Sequence, residues 1–187
     1  MESIKVLRSR ETETKEIMVG DRILIPLEEL GEFAATAHKV TDKGVLFIFD
    51  EYVTSRPMNR KNTTTGGYNK SDLKKWIDSV FMEAFPAELR SHIENLSIPT
   101  AGELFGHDDK WNNEHFEPDT DEHLPLMKER RNRVAYLNNE GSWGWLRNAT
   151  KECVSSARFA CVNPNGTAIC RAASSSLGVR PEFWLVR

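Results

Sequence analysis

The C-terminal part of the chain, residues 141–187, constrains the fold most, because it consists of short apolar segments separated by turn residues. The segment Asn163-Pro-Asn-Gly166 is a tight-turn sequence between two such segments and predicts a hairpin. The strands predicted in this part of the chain are residues 143–147, 159–162, 167–172 and 179–186. Strands this short, joined by turns of a few residues, favour antiparallel pairing.

The N-terminal part of the chain holds a second group of predicted strands: residues 23–27, 33–40 and 45–49. Asp42-Lys-Gly44 lies between the last two and predicts a hairpin turn. Residues 45–49 are apolar on both faces, so they should form a central strand that is covered on both sides. Pro26 cannot donate to a strand ladder and suggests an edge position for its strand. Residues 1–16 are polar, and we expect a flexible arm or an added edge strand there.

The middle of the chain has helical patterns. Ser71 is a predicted N-cap, and it precedes an apolar stripe at helical spacing that should face the core: Leu73, Trp76, Ile77, Val80, Phe81 and Ala84. Further helices are predicted over residues 87–95, after the capping box of Thr100 and Glu103, and over residues 124–133. Helices grouped between two sets of strands, without regular alternation, indicate an α+β fold with a mainly antiparallel sheet, two to three helices and long loops.

Composition excludes some functions. The net charge of −3 and the even mixture of acidic and basic residues argue against direct nucleic-acid binding, which usually needs a concentrated basic face. No long apolar run or signal-peptide pattern is present, so we expect no membrane insertion and a cytoplasmic or virion location. Cys153, Cys161 and Cys170 lack metal-ligand spacing, and we interpret them as half-buried strand thiols.

Residues 106–123 contain seven acidic residues against one lysine and three of the five histidines. Their ligand spacing matches no established metal loop, so we expect a solvated segment without a metal or cofactor. We interpret it as a contact surface for a protein partner, formed by Asp108, Asp109, Trp111, Glu117, Asp119 and Asp121. The basic run at residues 128–133 has a ready internal partner in this acidic segment.

A polar loop is predicted over residues 54–70, and Arg56, Arg60 and Lys61 give it a positive patch that could face an acidic partner. Two other arginines, Arg147 and Arg180, lie next to apolar residues. We expect both to be buried, with their guanidinium groups bound to carboxylates or carbonyls. Gly144, between two tryptophans, predicts close packing of the backbone against an aromatic ring.

Several collinear motifs carry a resemblance to a known family. They are Gly20-Asp21, residues 67–76, residues 98–106, Arg131-Asn-Arg133, Trp143-Gly-Trp-Leu-Arg147, residues 162–166 and Gly178-Val-Arg-Pro-Glu-Phe183. Together they resemble a bacterial and phage domain family of unknown function that is related to the C-type-lectin-like fold. The resemblance implies a single lectin-like domain over residues 17–187, with paired N- and C-terminal strands, long loops on one face, and a phage or prophage setting.

Relatives of that fold include formylglycine-generating enzymes, phage tropism determinants and sugar-binding lectins. The copper-binding cysteine pair of the first group has no match in Cys161 and Cys170, which are too far apart. Glu117-Pro-Asp119 and Trp111-Asn-Asn113 resemble calcium-dependent sugar-binding motifs but stand in reversed order, so we interpret them as coincidence.

The sequence therefore favours a non-enzymatic binding module that presents loops to a macromolecular partner. That partner would be a virion component or a host protein, and in one form of the hypothesis the acidic segment inhibits a host defence protein by mimicking nucleic-acid charge. Carbohydrate or receptor binding is the alternative. A further alternative is catalysis by a scattered site, with His92 or His107 beside carboxylates. A cleft that holds a histidine or glutamate with a strongly shifted pKa would favour it.

Overall fold

The computed structural model describes residues 5–7 and 16–186. One sheet has six strands in the order β1-β2-β3-β4-β13-β6, and all its pairings are antiparallel. In chain order these strands are β1 (Lys5–Leu7), β2 (Arg22–Leu27), β3 (Gly31–Val40), β4 (Gly44–Phe49), β6 (Ile93–Ser97) and β13 (Glu182–Val186). The predicted hairpin of β3 and β4 is confirmed, and every residue of β4 is buried, as a central strand requires.

The second sheet has five strands in the order β11-β10-β9-β12-β5. They are β5 (Thr54–Pro57), β9 (Gly144–Ala149), β10 (Arg158–Val162), β11 (Ala168–Ala172) and β12 (Ser176–Val179). The predicted hairpin around Asn163-Pro-Asn-Gly166 is confirmed by the pairing of β10 with β11. A short ribbon pairs β7 (Tyr136–Leu137) with β8 (Glu140–Gly141).

The helices of the described residues are all short. They are α1 (Asp72–Trp76), α2 (Ala87–Arg90), α3 (Ala101–Phe105), α4 (Lys110–His115) and α5 (Arg130–Arg133), with 3₁₀ turns at Tyr68–Lys70 and Pro125–Lys128. The described part of the chain is thus α+β and mainly antiparallel, as predicted, but with more and shorter helices than the expected two to three. Both predicted caps are present, since Ser71 accepts from the Lys74 amide and Thr100 forms a capping box with Glu103.

A π-helical turn, Ile77–Phe81, continues α1 and corrects the predicted apolar stripe. A π turn has more residues per turn than an α-helix, and the buried positions of this segment recur every fourth residue. They are Leu73, Ile77, Phe81 and Phe85. Val80, predicted to face the core, is 59% exposed.

The helix predicted over residues 87–95 is wrong beyond Arg90, because the chain becomes β6 at Ile93. The last predicted strand is also divided, since residues 179–186 belong to two strands in different sheets. The division falls at Arg180-Pro181, where proline has no amide hydrogen for a ladder. The crossover from β12 to β13 therefore connects the two sheets.

Three smaller predictions need correction. Thr54–Pro57 is a strand rather than part of a loop, because it pairs with β12. Pro26 does not mark an edge strand, since β2 lies between β1 and β3, although the β1 pairing has ended before Pro26. Cys161 and Cys170 are strand thiols, but Cys153 is exposed in a turn outside the strands.

The first and last strands of the described chain do not pair with each other, although the resemblance implies that they do. The C-terminal strand β13 pairs with β4 and β6, while β1 pairs with β2 in the same sheet. The strand β1 lies within the segment for which an arm or added strand is predicted. The other residues of that segment up to residue 15 lie outside the described residues.

Two hydrophobic clusters hold the sheets together. The larger one packs the rings of Phe47, Phe49 and Phe183 from the first sheet against Phe81 and Phe85 of the helical segment. The smaller cluster lies under α3 and the segment after α4, and Leu46, Ile48 and Leu146 belong to it. One face of β4 packs in the larger cluster and the other face in the smaller one, which explains why the strand is apolar on both faces.

Candidate functional site

A polar cleft of about 390 Å³ opens where the crossover residue Arg180 meets the first sheet and the segment that follows α4. One wall is the first sheet, with Thr36 and His38 on β3 and Asp50 directly after β4. The opposite wall is the segment 126–134. The full lining is Gly20, Thr36, His38, Asp50, Leu126, Arg131, Asn132, Val134 and Arg180.

Arg180 is 7% exposed and donates two hydrogen bonds to backbone carbonyls. Its Nε lies 2.6 Å from the Phe49 oxygen, and its Nη1 lies 3.0 Å from the Asn132 oxygen. In the described chain no carboxylate forms an ion pair with it. Burial lowers the pKa of this guanidinium, although an arginine keeps its charge in proteins. The predicted burial and carbonyl bonding of Arg180 are confirmed, and a positive charge lies at the inner end of the cleft.

His38 is 3% exposed, and its Nδ1 has no hydrogen-bond partner among the described residues. Burial, and secondarily the positive charge of Arg180, lowers the pKa of His38 to about 4. The imidazole is therefore neutral at pH 7 and carries one N–H donor and one acceptor nitrogen. Buried polar atoms are nearly always bonded, so the unbonded Nδ1 of His38 is an exception in the wall of this cleft.

Asp50 is the only carboxylate among the lining residues, and both its oxygens are bonded. Thr36 Oγ1 donates to Oδ1 over 2.6 Å, and Arg22 donates to Oδ2 from Nε over 2.7 Å. Arg22 Nη2 also lies 2.6 Å from that oxygen. The charge of Asp50 is thus paired inside the protein. Arg131 is exposed, and its side chain makes no hydrogen bond or ion pair with the described residues. The unpaired charges lining the cleft are both positive.

A separate charged cluster connects α3, β9 and β13. Arg147 Nη2 lies 3.0 Å from a Glu103 oxygen, 2.8 Å from a Glu182 oxygen and 3.7 Å from an Asp121 oxygen. The expected carboxylate partners of Arg147 are therefore present, but its side chain is 28% exposed and thus only partly buried. Burial and the neighbouring Glu103 carboxylate raise the pKa of Glu182 well above its usual value, against the attraction of Arg147.

Comparison with known families gives one match, to a domain family described as of unknown function (DUF6273), over residues 43–187. The matched part is more than half of the chain. This protein is a member of the DUF6273 family. No curated protein and no solved structure matches it.

The DUF6273 match begins after β3, whereas the resemblance noted in the sequence runs from residue 17. The cleft therefore has lining residues on both sides of this boundary. Thr36 and His38 precede the match, and Asp50, Arg131 and Arg180 lie within it. Part of the cleft is thus built by β3 and the turn at Gly20, which the family match does not include.

None of the contact residues predicted from the sequence lines the cleft of this DUF6273 domain. In the acidic segment, Asp108 and Glu117 are exposed, while Asp109 is exposed and caps α4 by accepting from the Asn112 amide over 2.9 Å. Trp111 is 39% exposed and stacks on His115, with ring centroids 4.1 Å apart. These side chains lie at the surface, as a contact role requires.

Asp119 and Asp121, the two other predicted contact residues of this segment, also bind groups of the protein itself. Asp119 Oδ2 accepts from the Gly102 amide over 3.0 Å and from Asn148 Nδ2 over 2.7 Å. Asp121 lies beside Arg147. Both residues therefore attach the acidic segment to the second sheet and to α3, so this segment is less solvated than its composition suggests.

The residues of the predicted positive patch are exposed, although one of them lies on a strand rather than in a loop. Arg56 lies on β5 with its guanidinium carbon 4.3 Å from the centroid of the Trp76 ring, while Arg60 and Lys61 are exposed in the following loop. The basic run after the acidic segment bonds to carbonyls instead of acidic side chains. Arg130 donates to the Asn165 carbonyl and Arg133 to the Met127 carbonyl.

Two further observations concern the described residues of this DUF6273 domain. They contain no cluster of three or more His, Cys, Asp or Glu side chains suited to holding a metal ion. None of their helices has the length and apolar character needed to span a bilayer. No local pattern in the sequence predicts the cleft itself, because a single histidine in an alternating strand is also typical of a core.

Proposed function

We propose that this protein is a non-enzymatic binding module of phage or prophage type with a C-type-lectin-like fold, and that it holds part of a protein partner in the polar cleft. The observation that carries the proposal is an open cleft lined by two polar groups without a matching partner among the described residues: the His38 imidazole, whose buried Nδ1 is unbonded, and the Arg180 guanidinium, which has no ion-pair partner. A few convergent polar groups in a concave site are typical of binding pockets.

The cleft has walls suited to a preformed site. β3 and the end of β4 belong to a six-stranded sheet, and Arg180 is fixed by two backbone carbonyls. The opposite wall is held by side chains, since Asn132 Nδ2 donates to the Leu126 carbonyl over 2.7 Å. A site on such supports needs little ordering when a ligand enters, which reduces the entropy cost of binding.

The acidic surface supplies a second contact in this proposal. With Asp119 and Asp121 used internally, the surface residues are Asp108, Asp109, Trp111 and Glu117. An exposed tryptophan among carboxylates suits a partner with basic residues around an apolar point. A host defence protein with a basic groove is one such partner, and a virion component is another.

The experiment is affinity capture from a host lysate with three forms of the protein: wild type, Arg131→Ala and the control Arg158→Ala. Arg131 and Arg158 are both exposed, and only Arg131 lines the cleft. We expect a partner that is retained by wild type and the control and is depleted with Arg131→Ala. Equal retention by all three forms would contradict a role for the cleft, and Asp108→Lys with Glu117→Lys applies the same test to the acidic surface.

Catalysis is the second candidate, because a strongly shifted histidine in a cleft is a common feature of active sites. The direction in which the pKa of His38 is shifted argues against catalysis by this residue. A general base works best with a pKa near the working pH, and the pKa of His38 is lowered to about 4. A screen of hydrolase and transferase substrates, comparing wild type with His38→Gln, tests this alternative, and turnover lost only in the variant would establish it.

A further inference from the structure

We infer that the cleft takes a carboxylate group of its ligand, which lies between Arg180, Arg131 and His38. This inference rests on the proposed binding function of the cleft and names the chemistry that the cleft recognises. It follows from the charges that line the cleft and from the hydrogen bonds that are still available there.

The first step concerns the buried positive charge. Arg180 is almost completely buried, and its described partners are two neutral carbonyl groups. A buried charge without an ion-pair partner is costly, so an anion that reaches this guanidinium gains more than it would at the surface. Arg147 provides the comparison within the same protein, because its guanidinium has carboxylate partners in Glu103 and Glu182.

The second step is that the cleft's own carboxylate, Asp50, is already bonded elsewhere. Asp50 lines the cleft, but Thr36 and Arg22 already occupy its two oxygens. Its charge is balanced by Arg22. With that pair set aside, Arg131 and Arg180 give the lining a charge excess of two positive groups, and Asp50 acts on Arg180 only as a longer-range attraction without an ion pair.

The third step concerns the kind of anion. A neutral His38 can donate one hydrogen bond, and Arg180 and Arg131 can donate several, so a ligand oxygen that only accepts would satisfy all three. A carboxylate has two such oxygens and one negative charge. A phosphate monoester carries about −1.5 to −2 charges. The cleft matches a single negative charge, because Arg180 is the one buried cation without an ion-pair partner among its described lining residues. The other cation, Arg131, is exposed, and solvent screens its charge.

The probes are acetate, its neutral isostere acetamide, and inorganic phosphate, added at constant ionic strength to the full chain. The readout is the nuclear magnetic resonance shift of the His38 ring and of the Arg180 Nε–H signal. We expect saturable shifts with acetate, none with acetamide, and weaker binding of phosphate than of acetate. Equal shifts with acetate and acetamide, or preference for phosphate, would overturn the inference.

Variants make the test specific to the cleft. Arg131→Ala should weaken acetate binding about two- to fivefold, as expected for one exposed ion pair, while Arg131→Lys should recover part of the loss. Arg158→Ala should leave the affinity unchanged. Two peptides identify the source of the carboxylate, one with a free C-terminal carboxylate and one with an amidated C-terminus. If the free peptide binds more tightly than acetate, the carboxylate belongs to a protein chain rather than to a small acid.

The result can be separated from that of the proposed function. Partner capture that depends on Arg131, without any acetate shift, would keep the binding function and refute the carboxylate. Acetate binding that depends on Arg131, with capture unaffected by the variant, would keep the carboxylate site and refute the cleft as the contact with the captured partner.

Discussion

Arg180 donates its Nε hydrogen to the backbone oxygen of Phe49 over 2.6 Å. The bond joins the point where the chain crosses between the two sheets to the end of the central strand β4. The same guanidinium lines the polar cleft, so one residue serves both the fold and the candidate site. A substitution at this position would disturb both, and the tests of the cleft therefore use the exposed Arg131.

Asp119 and Asp108 should differ sharply in their effect on stability. Asp119→Ala removes the acceptor of the Gly102 amide and of Asn148 Nδ2, and leaving buried donors unbonded costs about 1–3 kcal/mol. Asp108 is exposed, and Asp108→Ala should change the free energy of unfolding by less than about 0.5 kcal/mol. Urea unfolding followed by circular dichroism measures both, and similar values for the two variants would contradict the internal role of Asp119.

The parts of the fold that the sequence predicts well are those decided by neighbouring residues. The hairpin around Asn163 to Gly166, the N-cap Ser71 and the capping box of Thr100 and Glu103 each depend on residues a few positions apart. The prediction fails where distant contacts decide. The segment after Arg90 becomes β6 because β13 pairs with it, and Val80 faces solvent because of a π turn that periodicity does not reveal.

The candidate site was less predictable than the fold, for the same physical reason. Its charged groups come from β3, from the segment after α4 and from the β12–β13 crossover, which are far apart in the sequence. The burial of Arg180 could be predicted from its apolar neighbours. The pairing of Arg22 with Asp50 could not be predicted, since no local pattern links the two residues. Composition located the acidic segment but could not distinguish the bonded Asp119 from the exposed Asp108.

Gly144→Ala should destabilise the protein, because a Cβ at this position would overlap the buried Tyr52 ring. Tyr52 is also covered by Gly178, so it has little room to move. We expect a loss of about 1–3 kcal/mol, typical of overpacking in a core. Gly141→Ala is the matched control, since its Cβ would lie 3.7 Å from Pro164 in ordinary contact.

The overlap with Tyr52 can be isolated with a double-mutant cycle. If the steric contact is the cause, Gly144→Ala should cost much less in a Tyr52→Ala background, because the ring is gone. Equal costs in the two backgrounds would place the effect elsewhere. Thermal unfolding of the four proteins is sufficient for this comparison.

Glu182→Gln should make the protein less sensitive to rising pH. Burial and the Glu103 carboxylate raise the pKa of Glu182 above its ordinary value of about 4.5, so protonation favours the folded state. The stability this group contributes is complete below pH 4.5 and is lost as the pH rises through the folded pKa. The variant should therefore gain stability relative to wild type as the pH rises above 4.5, measured by urea unfolding. Exposed Glu117→Gln is the control, and a stability difference for Glu182→Gln that falls with pH would contradict the assignment.

His38 should give the opposite dependence on pH. Burial and Arg180 lower its pKa from 6.5 to about 4, against the smaller opposing effect of Asp50. Protonation therefore favours the unfolded chain, and stability present above pH 6.5 is lost as the pH falls toward 4. His38→Gln should remove this slope, while the exposed control His92→Gln should keep it, and an unchanged slope in His38→Gln would refute the assignment. Since a nearby anion favours a charged imidazole, acetate bound in the cleft should also raise the pKa of His38 in wild type.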